Sequence, residues 1–246
     1  MKIIRLAAVL LFAATGAAHA QNSFVIQSRG VPAGKCVYTF DKAKDGYKVF
    51  SRFQVRIAAQ FHDADPTNPV SSLSTDIQES NGYKLDANYL YAGGSITDTT
   101  QKTFGYSPNK QHTVMQLSMV QAGVQGPSTE LPLMPGSMVL PNYDPSAIQG
   151  LLYLATTHPT PDSLYFLIVP GLRGPQSVQA KWTPQSDTPT GTLAGKPVTL
   201  HHFNFYFGKN LYDVYADDTN TLMETDIKGL NVSYIRTGFA LSAATP

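Results

Sequence analysis

Apolar and polar residues alternate with a period of two along most of this chain, the spacing of a strand with one buried and one wet face. Lys35–Phe40 places Cys36, Tyr38 and Phe40 on one parity. The run Lys42-Ala43-Lys44-Asp45-Gly46 follows, and its Asp-Gly pair is a hairpin signal. Tyr47–Ile57 returns with Val49, Phe53, Val55 and Ile57 against Lys48, Arg52, Gln54 and Arg56, so one face is buried. An edge strand is expected before this hairpin, at Phe24–Gln27, and further strands after it at Tyr83–Ala92, Thr99–Tyr106 and Gln111–Val120.

Gly123–Asn142 reads as a long Pro/Gly-rich connection. It leads to the one segment with helical spacing. Asp144 is placed as N-cap, Pro145 opens the helix, and Ile148, Leu151, Leu152 and Ala155 share a face that packs on the sheet. The helix stops before Pro159. Ser163–Val169 is apolar on both parities, as in a central strand, Leu172–Gly174 is a turn, and Ser177–Trp182 is the next strand.

The C-terminal stretch Gly195–Leu241 is the most regular part, four β-segments joined by tight turns. Val198 and Leu200 share one parity, whereas Phe203, Phe205 and Phe207 share the other. The phase changes at His201-His202, where a β-bulge would keep one core continuous. Leu211–Asp217, Thr221–Ile227 and Leu230–Leu241 complete the meander. The expected fold is mainly β: one strongly curved antiparallel sheet, a half-barrel, with one covering helix.

Composition changes this picture at the N-terminus. Lys2 and Arg5, the apolar run Leu6–Ala14 and the small residues of Ala18-His19-Ala20 form a secretory signal pattern. The run is well short of the roughly 20 residues that span a bilayer. Residues 1–20 are therefore expected to be a signal peptide cleaved after Ala20, and 21–246 one β domain, periplasmic or secreted. Losing Lys2 and Arg5 takes the formal charge from +1 to −1 (+1 − 2), which offers nucleic acid or an anionic membrane no broad basic surface. The single Cys36 excludes an internal disulfide and any multi-cysteine metal site. It reads as an inert core thiol.

The segment Asn142-Tyr143-Asp144-Pro145 with the helix Ser146–Thr156, and Val214-Tyr215-Ala216-Asp217-Asp218 with Leu222-Met223, resemble the periplasmic half-barrel superfamily over the second half of the chain. That group includes the lipoprotein carrier of the outer-membrane localisation pathway. The likeness is stronger to a family of uncharacterised secreted bacterial domains. The resemblance implies a curved sheet whose concave face is covered by helix and loops and, in lipid-carrying relatives, holds acyl chains. It carries over no lipid-binding residue.

Candidate chemistry is sparse. His201 and His202 are adjacent on a strand and point to opposite faces, so no metal site is expected. Asp63, Asp65 and Asn68 lack the spacing of an EF-hand loop and read as loop formers. Asp213, Asp217, Asp218, Glu224 and Asp226 read as the solvated face of a hairpin, where a glycosidase needs two opposed carboxylates in a cleft. No Gly-x-Ser-x-Gly elbow or phosphate-binding glycine motif is present. No catalytic residue and no cofactor is assigned.

The aromatic run Phe203, Phe205, Tyr206 and Phe207, with Tyr212, Tyr215 and Trp182, reads first as core and second as the lining of a ligand site. Trp182, Phe203, Phe205 and Phe207, with Leu151 and Leu152 of the helix, are the candidate ligand-binding set. The expected function is that of a non-enzymatic exported protein. It would bind an apolar or lipid-like ligand in the concave face, or serve envelope assembly beside another envelope protein. The alternatives are an envelope-glycan hydrolase using acids or a His–acid pair (His201, His202, His158, Asp144), and an interaction module that pairs through an edge strand.

Overall fold

The computed structural model describes residues 21–61, 71–88, 90–98, 102–133, 138–140, 144–157, 164–168 and 176–242. The signal segment 1–20, the loop residues Asp63, Asp65 and Asn68, and Asn142, Tyr143, His158 and the turn Leu172–Gly174 lie outside the described residues.

Among the described residues, eighteen strands form one sheet that does not close into a barrel. In chain order they are β1 (Asn22–Ser28), β2 (Val31–Ala43), β3 (Gly46–Phe61), β4 (Ser71–Leu85), β5 (Tyr91–Asp98), β6 (Lys102–Pro108), β7 (Val114–Gln121), β8 (Val124–Gln125), β9 (Thr129–Pro132) and β10 (Met138–Leu140). After helix α1 (Pro145–Thr157) come β11 (Leu164–Ile168), β12 (Gln176–Pro184), β13 (Thr190–Leu193), β14 (Lys196–Phe207), β15 (Asn210–Asp217), β16 (Leu222–Ile227), β17 (Val232–Arg236) and β18 (Phe239–Leu241). Pairing is antiparallel except between β10 and β11, which run parallel.

The pairings run β9-β7-β6-β5-β4-β3-β2-β1-β17-β16-β15-β14-β12-β11-β10. The N-terminal strand is therefore not an edge. β1 pairs with β2 on one side and with β17 on the other, because the C-terminal meander returns beside it. The long connection after Gly123 contributes β8, β9 and β10. The last expected strand is two, β17 and β18, broken by a turn at Thr237-Gly238, where Gly238 adopts φ +81°.

Helix α1 bonds to both ends of a six-strand span. Its N-cap residue accepts from Ser51 on β3 and Asn81 on β4, and Gln149 accepts from the backbone N–H of Leu222 on β16. Six flat strands would place β4 and β16 about 24 Å apart at ~4.8 Å per strand, whereas a helix is only ~10–12 Å across. The sheet must curl around the helix. Gly150 faces the sheet: a Cβ there would stand 3.3 Å from Leu85 Cδ1.

The inner, helix-facing side carries two clusters that join through Phe40. One gathers Phe24, Ile26, Tyr38, Phe205, Phe207, Tyr212 and the helix residues Ile148, Leu151 and Leu152. The other gathers Val49, Tyr83, Leu85, Ile96, Tyr106 and Met115. A third, small cluster of Leu200, Met223 and Phe239 lies apart from them. It explains the phase change in β14. Register between β14 and β15 is unbroken from Leu200 to Phe207, so no bulge interrupts His201-His202. The strand buries one face at Phe203–Phe207 and the opposite face at Leu200. The bulge lies in β16 instead, where Tyr215 pairs with Glu224 but Ala216 with Leu222, leaving Met223 as the extra residue.

Candidate functional site

The six residues expected to line a ligand site lie together in one cluster: Trp182, Phe203, Phe205, Phe207, Leu151 and Leu152, none more than 8% exposed. Their rings are in contact. Trp182 and Phe205 have centroids 6.2 Å apart, Phe203 and Phe205 6.1 Å, and Phe207 meets Tyr212 edge-on at 4.7 Å. The helix supplies the other wall, and Ser146 to Leu152 are all buried. These side chains pack against one another and against the helix.

A buried polar network fastens the helix in that position. Asp144, with no exposed surface, accepts from Ser51 Oγ at 2.5 Å and Asn81 Nδ2 at 2.7 Å. It also accepts from the backbone N–H groups of Ser146 (2.8 Å) and Ala147 (3.1 Å), as an N-cap should, and from the Ser146 hydroxyl. Tyr83 donates to Ser146 Oγ at 3.0 Å and Tyr38 to Gln149 Oε1 at 3.0 Å. Gln149 in turn donates to the Asn220 carbonyl at 2.7 Å. With five donors around it, the hydrogen-bonding capacity of this buried carboxyl is spent on holding the helix in place. Burial, and secondarily the Asp144 charge, pushes the neighbouring Cys36 thiol far up, so it carries no thiolate.

The outer face of β14–β16 holds the charged residues. His202 Nδ1 sits 2.9 and 3.0 Å from the Asp187 oxygens, and its ring stacks on Tyr215 with centroids 4.6 Å apart. Its Nε2 is buried without a hydrogen-bond partner, 3.9 Å from Asp213. Asp213 and Asp226 face each other across β15–β16, and Lys228 Nζ bridges them at 2.8 and 3.3 Å. Asp213 raises Lys228 above its ordinary range. Burial pushes Glu224 up to about 7, with Asp226 adding to the shift.

This hairpin is thus only partly solvated. Asp218 is exposed beside His201 at 3.7 Å, but Glu224 is just 9% exposed, because Tyr215 and Ile235 flank it in register. Sequence reasoning missed Asp187 and Lys228. Asp187 lies in a loop with no periodicity, and Lys228 looked like turn punctuation. Among the described residues, no group of three His, Cys, Asp or Glu side chains can hold a metal ion. His202 and Asp144 belong to opposite faces of the sheet, so they do not converge.

No family model, no curated protein and no solved structure matches the chain. Among the described residues, one surface depression lies beside Lys48, Lys84 and Gly93 and another beside Gln179, Lys181 and Tyr206. Neither is lined by the six core residues.

Proposed function

We propose that this protein is a non-enzymatic, exported β-scaffold that serves envelope assembly by contact with other envelope components. The observation that carries the reading is that the concave face is occupied by the protein's own helix, fastened through Asp144. Displacing the helix would expose Ile148, Leu151 and Leu152 and strand a carboxylate among its donors, at a cost of several kcal/mol. The signal pattern at Lys2–Ala20 supports export. Hydrolysis is disfavoured because the opposed pair Asp213–Asp226 is bridged by a lysine.

The test is extraction and mass spectrometry of the mature protein purified from its native envelope, with cross-linking in intact cells. The expected outcome is no stoichiometric lipid and a discrete cross-linked envelope partner. An equimolar acyl lipid released on unfolding would replace this reading with carriage in the concave face by Trp182, Phe203, Phe205, Phe207, Leu151 and Leu152.

A further inference from the structure

The outer face of β3–β7 carries a row of small residues. Its register brings Phe50, Gly82, Ser95, Gly105 and Ser118 into one row across five strands. After Phe50, no side chain in that row is larger than serine. The next row places Lys48 directly opposite Lys84, with Gly93 beyond. On the other side, Arg52 stands opposite Ser80. The result is a shallow trough floored by glycine and serine, with an aromatic ring and the cations Lys48, Lys84 and Arg52 gathered at its β3–β4 end. A shallow, open depression of about 430 Å³ lies at its lysine end, lined by Lys48, Gly82, Lys84, Ala92 and Gly93.

Local packing accounts for only part of this. The Phe50 ring leans over Gly82, 3.9 Å from where a Cβ would stand, which is a known way to cover a strand glycine. Ser118 Oγ likewise covers Gly105, 2.7 Å from where a Cβ would stand, but neither contact explains the small residue at Ser95, nor why Phe50 stays 45% exposed. Like charges directly opposite each other on neighbouring strands destabilise a sheet, so the Lys48–Lys84 pair has a cost. The ion pairs of the described residues involve neither lysine nor Arg52, whose guanidinium lies 5.6 Å from the Phe50 centroid. Asp41 neighbours Lys48 in register, on the side away from the trough.

We propose that this trough binds an anionic oligosaccharide. A floor with no side chain larger than serine lets sugar rings lie close to the backbone. Ser95 and Ser80 offer hydroxyls to sugar hydroxyls, and Phe50 offers an apolar surface to the C–H face of a ring. Lys48, Lys84 and Arg52 then meet carboxylate or phosphate substituents, which relieves the repulsion between the lysines. A bare inorganic anion would not use the ring or the floor. The inference goes beyond the scaffold role and does not depend on it.

The experiment is calorimetric titration of the full mature protein with hexameric oligogalacturonide, neutral cellohexaose and inorganic polyphosphate. The expected result is measurable oligogalacturonide binding, with cellohexaose at least about tenfold weaker. Lys48→Ser/Lys84→Ser should lose about tenfold or more in affinity. Phe50→Ala should lose affinity for the oligosaccharide but not for polyphosphate. All three side chains are exposed, so unchanged circular dichroism confirms that the variants fold. The oligosaccharide should also raise the melting temperature of the wild type and not of the double lysine variant. No oligogalacturonide binding, an unaffected lysine double variant, or loss in Phe50→Ala matched for both anions would overturn the proposal; the last would leave a charge patch only.

Discussion

Asp144 is the residue on which most of the interior depends, since two strands and the first turn of α1 all donate to it. Asp144→Ala orphans those donors in a fully buried site. It should cost ~3 kcal/mol or more in urea denaturation, with Asp144→Asn intermediate. The N-cap itself was legible, because an acid before Pro145 and a helical apolar face is a local signal. Its partners were not, since Ser51 and Asn81 lie 93 and 63 positions away and read as polar interruptions of apolar runs. Glu224 gives a pH signature. Its folded pKa of about 7 lies above the ordinary value of 4.5, so the folded protein holds the proton more tightly than the unfolded chain does. The contribution is complete below about pH 4.5 and is lost as pH rises through about 7. Glu224→Gln should flatten that part of a stability-versus-pH curve measured by thermal melting. Cys36, fully buried, should resist a thiol reagent in native protein and react stoichiometrically only after unfolding.

At the scale of elements, strands and helix followed from periodicity, and their surroundings did not. The alternation in β2, β3, β7 and β14 located each strand. The apolar count cannot say which face meets which cluster, so β14 looked like a strand with a defect at His201-His202. It is instead a regular strand that serves the inner core at one end and the Leu200–Met223–Phe239 cluster at the other. The real irregularity, Met223, was hidden because Leu222 and Met223 are both apolar and either could have faced in. Helix α1 buries nearly its whole circumference, well beyond the single face that its sequence suggests. Leu152→Ala should therefore act as a core cavity mutation and cost ~2–5 kcal/mol in chemical denaturation, with full retention of strand content by infrared absorption.

For the whole molecule, the fold class was readable from composition and alternation, but the order of strands was not. Pairing between distant segments leaves no mark on a single sequence. The clearest case is β1, taken for an edge and found in the middle of the sheet. That placement also governs timing. Ser23 is hydrogen-bonded to Thr237, 214 positions later, so the first strand to emerge waits for almost the last to arrive. Until then β1 and β2 present an open ladder that another chain could extend. Contacts this distant in sequence make folding slow, and nearly the entire polypeptide must be delivered before the sheet's central seam between β1 and β17 can be sewn.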